Sequence, residues 1–475
     1  MRNYLLLIVL FTGSLAAKAQ ETWSLERCIV YAIEHSVDMQ QADYAIADAD
    51  IINDLNRQQR YPNLTAGTNA FWNTGRTVDP TTNDFISTTF FSNGLQLNTG
   101  VTLFNGGRIN NTIKQGQLSQ EAAQEDKAST INTITLNVLA AYFEALFAQD
   151  DLVNQTVQRK TIVDQIDQMN KMVEAGTRAK FEIYDLEAQL AQADQSVTLA
   201  QNRIDLAIIS LKGVMNLDSQ DPMELTEPPV DQAVYSDLTT ASFEEILDRV
   251  IAARPELRAF DLRVQSAELG VDLAKADLYP SLTFGVSFSS NFSNQFKQAS
   301  EDGSIVRVDQ NVFLNGNPAT IGTDQFIPSS VSTLPWADQI DENKSLGFGF
   351  NLNIPIYNRN QTKGGINRAK LNVLNQQAER ERYSINLRNT LGGLITDVKA
   401  AERALEATDK VLEARQISFE NAEKRFNLGA INSFDYTNIQ DQLNQAKTQQ
   451  IIAKYDYMLK VKVLDFYQGY PVSLN

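Results

Sequence analysis

The chain is poor in the side chains that usually carry chemistry. Among 475 residues there is one cysteine, Cys28, and one histidine, His35. A single cysteine excludes an internal disulfide and a cysteine-based zinc cluster, and Cys28 lies too far past the apolar N-terminal segment to be a site of lipid attachment. His35 reads as an incidental residue of a short helix, which disfavours a hydrolytic triad or a histidine metal site. Carboxylates are plentiful, but nothing gathers a nucleophile, a base and metal ligands, so neither catalytic residues nor a cofactor are expected. Positive charge is also short: 41 Lys and Arg against 58 Asp and Glu leave a net charge of −17. That balance argues against nucleic acid as a partner and also serves solubility.

Long apolar runs are missing beyond the N-terminus. Arg2, the apolar residues 4–15, and Ala17 and Ala19 around Lys18 have the layout of a secretory signal. Residues 1–19 are therefore expected to be removed, leaving a mature chain from about Gln20 with a net charge of about −19. The alternative, a membrane anchor, is short of the ~20 residues a spanning helix needs. No later stretch reads as long and apolar enough to span as a helix, so membrane insertion would have to use strands.

Proline is absent between Pro80 and Pro222 and again over residues 356–470, and long helices fill those gaps. Ile134, Val138, Ala141, Ala145, Ala148 and Leu152, then Ile162, Ile166, Met169 and Val173, recur in the three-four rhythm of a coiled-coil seam. A second seam through Leu136, Leu139, Phe143, Leu146, Val153 and Val157 gives the helix partners on two sides. At roughly 70 residues such a helix would be on the order of 100 Å long. After Gly176, a plausible helix stop, Ile183, Leu186, Leu190, Ala193, Ala200, Ala207 and Leu211 keep the rhythm in a return helix.

The pattern occurs twice. Residues 24–64 align with 242–282 without a gap, and a second alignment pairs Gly176 with Gly429, Phe181 with Phe434 and Leu190 with Leu443. The second long helix carries Leu387, Leu391, Leu394, Val398, Ala401 and Leu405, and its return helix Tyr436, Ile439, Leu443 and Ala446. Gly392 and Gly393 are expected either to loosen the second long helix locally or simply to be tolerated within it. The chain thus divides into a first repeat (20–215), a linker (216–241) containing Pro222, Pro228 and Pro229, and a second repeat (242–475) with a longer loop at 291–344.

Four short segments alternate with period two. Leu95, Leu97, Val101 and Leu103 oppose Gln96, Asn98, Gly100 and Thr102; Leu346, Phe348, Phe350, Leu352 and Ile354 oppose Gly347, Gly349, Asn351 and Asn353. Leu282, Phe284, Val286 and Phe288 form a third such face, and residues 64–72 a weaker fourth. Length and one-sided apolarity suit transmembrane barrel strands with a polar lumen; a half-buried soluble sheet is the alternative. Trp72, Phe90, Phe91, Phe104 and Tyr357 near the strand ends fit interfacial girdles. Residues 73–93 and 291–344 read as polar loops. Four strands cannot close a barrel, and an open edge in lipid leaves backbone groups unpaired. Three copies would supply twelve strands.

These features resemble the TolC family of trimeric outer-membrane channels over essentially the whole mature chain. The most specific pieces are the two hairpin turns, Glu174-Ala175-Gly176-Thr177-Arg178 and Arg425-Phe426-Asn427-Leu428-Gly429-Ala430, each followed by an acidic helix start. The resemblance implies an α+β membrane protein: a trimeric twelve-stranded β-barrel in the outer membrane, four strands per chain, continuous with a periplasmic α-helical barrel. Its implied role is the exit duct of a tripartite efflux pump, with a periplasmic adaptor and an inner-membrane transporter as partners besides outer-membrane lipid. Type I protein secretion is the nearest alternative, and a barrel-anchored coiled-coil adhesin an alternative of another class; internal, duplicated strands fit the adhesin poorly. By the same resemblance Asp435, Phe426, Asn438, Glu182 and Asp185 lie at the aperture, and Gly176, Thr177, Arg178, Leu428, Gly429 and Ala430 form adaptor-docking tips. Phe426 stands where a tyrosine can reach an acid on the neighbouring hairpin, and its lack of a hydroxyl leaves Glu182 unreached. Ile431 stands where an arginine can latch. A gate packed from Phe426, Phe181 and Phe434 with a carboxylate ring at Asp435 is expected; a solvated helix-start carboxylate is the alternative for Asp435.

Overall fold

The computed structural model describes residues 22–78, 83–226 and 242–471. The expected leader and residues 227–241 of the expected linker lie outside the described residues. The first half runs β1 (Thr22–Trp23), α1 (Leu25–His35), α2 (Val37–Gln58), β2 (Asn63–Val78), β3 (Phe85–Asn105), α3 (Arg108–Glu174), α4 (Phe181–Met215) and β4 (Glu224–Leu225). The second runs α5 (Phe243–Ala253), α6 (Pro255–Lys275), β5 (Ser281–Ser293), β6 (Lys297–Ala299), β7 (Gly303–Leu314), β8 (Asn317–Pro328), β9 (Val331–Thr333), α7 (Trp336–Glu342), β10 (Ser345–Asn353), α8 (Gln361–Asn427) and α9 (Ser433–Tyr467). The internal repeat survives in the element lengths: α3 and α8 are both 67 residues, α4 and α9 both 35, α1 and α5 both 11. Local signals agree too, since Ser24 caps α1 and Ser242 caps α5, the latter with Glu245 completing a capping box.

The compact units cut across the repeats. One unit comprises residues 1–49, 118–265 and 374–475, the other residues 50–117 and 266–373; α3 and α8 give their first turns to the second unit and the rest to the first.

The helical unit is held by the expected seams. Ile134, Val138, Leu139, Tyr142, Phe143, Ala145, Leu146 and Ala148 of α3 are buried against Leu25, Cys28 and Ala32 of α1, Leu211 and Met215 of α4, and Tyr455 of α9. In α8, Leu387, Leu391 and Val398 pack with Ile246, Leu247 and Val250 of α5 and Val461 and Leu464 of α9. An 18-residue window of α3 reaches a mean hydropathy of 1.3. The expectation that no later helix is apolar enough to cross a membrane therefore fails for α3, by length and composition. Half of that window is buried inside the chain, as befits a core helix. The second seam is buried only as far as Leu146; Val153 and Val157 are exposed. Nor do Gly392 and Gly393 interrupt α8, which runs unbroken past them. Burial pushes the Cys28 thiol up to about 12, so it is an inert core residue, and His35 stacks on Tyr31 at 3.9 Å within α1.

The second unit is built on one antiparallel sheet of order β10-β5-β3-β2. Its register aligns the apolar positions. Leu346, Phe348, Phe350 and Leu352 of β10 face Phe288, Val286, Phe284 and Leu282 of β5, and Leu97 and Val101 of β3 face Phe288 and Phe284 from the other side. The alternate residues, among them Gly347, Asn351, Ser287, Thr283, Gln96 and Asn98, share the opposite face. A bulge between Thr102 and Phe104 sets Phe104, not Leu103, opposite Leu282, which corrects the straight alternation read from the sequence. Every described position of β10 is exposed, so this chain alone leaves the apolar face uncovered.

The segment 73–93 is not a loop: β2 and β3 stay paired out to Val78 and Phe85. Threonine, asparagine and serine on both faces give no hydrophobic alternation, yet cross-strand pairs such as Thr74–Thr89 hydrogen-bond at 3.0 Å. Segment 291–344 is likewise structured, with β7 pairing β8, β6 pairing β9, and α7 packed on β5. The α7 anchor is Gln339, fully buried, whose amide donates to Ser293 O (3.0 Å) and Leu334 O (2.7 Å) and accepts from Ser293 N (2.9 Å). Trp72 and Phe91 meet across the strands at 4.7 Å, whereas Phe90 is buried and so is a core aromatic rather than a girdle residue.

Tyr142 ties the helical unit to its small parallel pair β1–β4: its hydroxyl donates to Thr226 O (2.8 Å), with Trp23 O also within reach at 3.1 Å. Tyr142→Phe removes this hydrogen bond and should cost about 0.5–1.5 kcal/mol, read as a lowered urea midpoint, while Tyr44→Phe at an exposed site should not move it. Equal midpoints for the two variants would remove this role.

Candidate functional site at the paired helical turns

The turns α3–α4 and α8–α9 close by the same backbone device. Gly176 and Gly429 both have φ of +74°. Thr177 N donates to Met172 O (2.9 Å) with Gly176 N on Val173 O (3.0 Å), and Ala430 N donates to Arg425 O (2.8 Å) with Gly429 N on Phe426 O (2.9 Å). These are Schellman closures, which need a left-handed residue at that one position. Thr177, Leu428 and Ala430 stand exposed beside the two glycines, so the expected tip residues are accessible, with one exception.

The exception is Arg178. Its side chain is 14% exposed and turned onto the other hairpin. The guanidinium donates to Phe426 O (3.2 Å) and Ile431 O (3.3 Å), lies over the Phe426 ring at 4.7 Å, and pairs with Glu182 at 3.6 Å. Glu182 Oε1 also accepts from Ala179 N at 3.3 Å. Glu182 is therefore reached, by an arginine from its own helical turn rather than by a hydroxyl at residue 426. Residue 431 enters the clamp through its backbone carbonyl, while the Ile431 side chain packs against the cluster of Phe426 and Tyr436.

Phe426 is buried, but not with the expected companions. It stacks on Tyr436 at 4.6 Å with an interplanar angle of 15°, in a cluster with Met169, Leu186 and Ala422. Phe181 and Phe434 are 66% and 77% exposed, so the three phenylalanines form no single cluster within the chain. Each begins its helix on the outer face of the turn, where no apolar neighbour covers it. The residues that sequence reasoning did not place at the site are Tyr436 and five amide side chains. Gln165 donates to Tyr436 Oη (3.2 Å) and Gln440 Oε1 (3.0 Å), Gln168 to Asn427 Oδ1 (2.8 Å), and Gln189 to Thr437 Oγ1 (3.1 Å). All four bonds join one hairpin to the other. Burial pushes the Tyr436 phenol up to about 12, with Glu423 adding and the Gln165 hydrogen bond opposing, so Tyr436 remains a neutral donor and acceptor.

Asp435, Asn438 and Asp185 are exposed. Asp435 sits in the first turn of α9, where its backbone N–H is capped by Asn432 at 2.8 Å; Asn438 accepts from Gln442 at 3.2 Å. Alongside the clamp a groove of 420 Å³ is lined by Gln155, Gln158, Gln189, Gln192, Gln440 and Asp441 among others. Its amides can hydrogen-bond many solutes without selecting a charge. No group of three or more His, Cys, Asp or Glu suited to a metal ion occurs among the described residues.

The profile of the family described as "Outer membrane efflux protein" matches residues 28–217 and 246–469. The chain is similar to the outer membrane protein TolC of Vibrio cholerae, 21% identical over 72% of this chain and 69% of that one. It is also similar to the probable outer membrane lipoprotein SilC of Salmonella typhimurium, 20% identical over 93% and 84%. Its fold matches a crystal structure of CusC with a TM-score of 0.73 at 14% identity, covering 94% of this chain and 92% of that one. The duplicated helices and four-stranded sheet are thus those of a known channel fold, and the chain belongs to the outer membrane efflux protein family, the TolC family of outer-membrane channels rather than enzymes.

Proposed function

We propose that three copies of this chain form the exit duct of a tripartite efflux pump, passing small molecules from an inner-membrane transporter and periplasmic adaptor to the exterior. The observation that carries this reading is the sheet β10-β5-β3-β2, open at both edges and apolar on one exposed face. One copy in lipid would leave the outward backbone groups of β2 and β10 unpaired at several kcal/mol each; joining β10 of one copy to β2 of the next removes both edges. Three copies give twelve strands, an even number within the range of bacterial barrels. Light scattering of the detergent-extracted protein with a low-resolution particle image should return a hollow trimer; a monomer or a solid filament would sink the proposal.

The duct's gate, on this reading, is the clamp between the two hairpins. Arg178 holds two carbonyls at the end of α8 and the following turn, and Tyr436 and the amides hold the helices behind it. Adaptor contact falls to the exposed Gly176, Thr177, Leu428, Gly429 and Ala430, while Arg178 acts within the tip. Arg178→Gln removes charge-assisted hydrogen bonds, each on the order of 1.5–3 kcal/mol, and should raise single-channel conductance in planar bilayers. Conductance equal to the parent's would rule out the clamp as a gate.

Asp435 contributes a ring of three carboxylates in the trimer. Like charges in a narrow opening attract cations and repel anions. Asp435→Asn is expected to reduce cation preference, measured as a shift in reversal potential across a salt gradient; an unmoved potential would leave Asp435 only its place at the α9 start.

A further inference from the structure

At one end of the sheet the strands meet the helices: Asn105, Ser281 and Asn353 are register neighbours there, and β2 starts nearby at Asn63. Positive charge concentrates at this end. Residues 53–62, 106–115, 271–280 and 354–363 hold seven Lys or Arg and three Asp, in a chain whose total is −17. The described connections at the opposite end, residues 83–84 and 294–344, reverse the balance, with three Lys or Arg and eight Asp or Glu.

All three aspartates at the helix end are already engaged, Asp54 with Arg57 (3.5 Å), Asp272 with Lys275 (2.8 Å) and Asp277 with Arg108. Arg60, Lys114, Arg359 and Lys363 are exposed and have no acidic partner among the described residues. Arg60 donates to a neutral acceptor, Asn110 Oδ1, at 2.9 Å. The backbone adds to the same field. Helices α3 and α8 begin here without an acidic residue in the first turn, whereas α1, α2, α4, α5, α6, α7 and α9 each carry at least one. Tyr61, Tyr279 and Tyr357 are exposed among these cations, and Ile354 and Ile356 extend the apolar alternation past the last paired residue of β10. Tyrosine beside an apolar band is the composition of a membrane–water interface, and unpaired cations beside it call for anions that lie in that plane.

We propose that this collar binds the phosphate groups of anionic phospholipids in the leaflet at the helix end of the sheet. The proposal rests on the reading that the sheet spans a membrane. Arg60, Lys114, Arg359 and Lys363 supply the attraction, and the tyrosines set the depth of the collar at the headgroups. The acidic connections at the other end repel the same lipids, so the collar also orients the chain in an asymmetric charge field.

The full-length protein is mixed with phosphatidylcholine vesicles, with or without phosphatidylglycerol, floated, and the phospholipid retained after detergent extraction is analysed. Parent protein should retain phosphatidylglycerol in preference to phosphatidylcholine, less so at high salt. Arg60→Gln, Arg359→Gln and Lys363→Gln should weaken that preference by about fivefold for each cation removed. Arg60→Lys with Arg359→Lys should keep it, which separates charge from loss of folding, and Lys297→Gln with Arg307→Gln at the opposite end should not reduce it. Insertion into both vesicle types with equal retention of the two lipids, or a preference untouched by the glutamine variants, overturns the collar while leaving the barrel standing. Parent protein that floats with neither vesicle overturns the barrel reading, and the collar with it.

Discussion

Backbone hydrogen bonding at the two free edges of the sheet constrains everything else in this molecule. β10 and β2 end the sheet with one side of each ladder unpaired, and the apolar face between them is exposed. In water such a sheet is an aggregation template; in lipid it is untenable as a monomer. The sequence around it is consistent with a strand set that is completed only by copies of itself. The small polar residues of the other face, Gly347, Gly349, Ser287 and Asn98 among them, leave room on that side and offer hydrogen bonds without fixed charge.

Where apolar spacing carried the information, the sequence was legible. The seams through Val138, Leu139, Leu391 and Val398 place the long helices, and strict alternation in 282–288 and 346–352 places two of the strands in register. Residues 73–93 and 291–344 were misread on their overall content of Asn, Ser, Thr and Gly, although β7 alternates Val306, Val308 and Val312 against Arg307, Asp309 and Asn311 and Thr–Thr contacts favour the β2–β3 ladder. The bulge is not visible in the sequence because the extra residue, Leu103, stands beside another apolar residue, Phe104, and either could continue the alternation. At the hairpin turns the glycines were legible from their position, whereas the clamp was not. Gln165, Gln168 and Gln189 lie beside the seam and look like solvated amides until the second hairpin is brought against them.

The clamp also shows how one arrangement of charge can be met from either repeat. The positions at which related turns can carry a tyrosine and an arginine hold Phe426 and Ile431 in the second hairpin, so no polar latch was expected. Yet an arginine stands in the first hairpin at Arg178, and a tyrosine stands one turn into α9 at Tyr436. A carboxylate at Glu182, buried at 8% exposure, needs a cation and backbone donors more than it needs a particular donor position, and Arg178 with Ala179 N supplies both. Duplicated hairpins facing each other make such exchange of roles geometrically simple.

The interleaving of the two repeats has a consequence for synthesis. Leu25, Cys28 and Ala32, made first, are buried in the same cluster as Tyr455, made among the last residues, and Tyr455 Oη reaches back to Asp150 at 2.8 Å. The second cluster joins Ile246 and Val250 to Val461 and Leu464. Each buried cluster of the helical unit includes a residue of α9, so none is complete until that last helix has been made. Contacts this distant in sequence make folding slow, and the alanine- and leucine-lined seams stay open to aggregation meanwhile. An excess of 58 carboxylates over 41 Lys and Arg is the kind of net charge that keeps an incomplete chain dispersed until its last helix arrives.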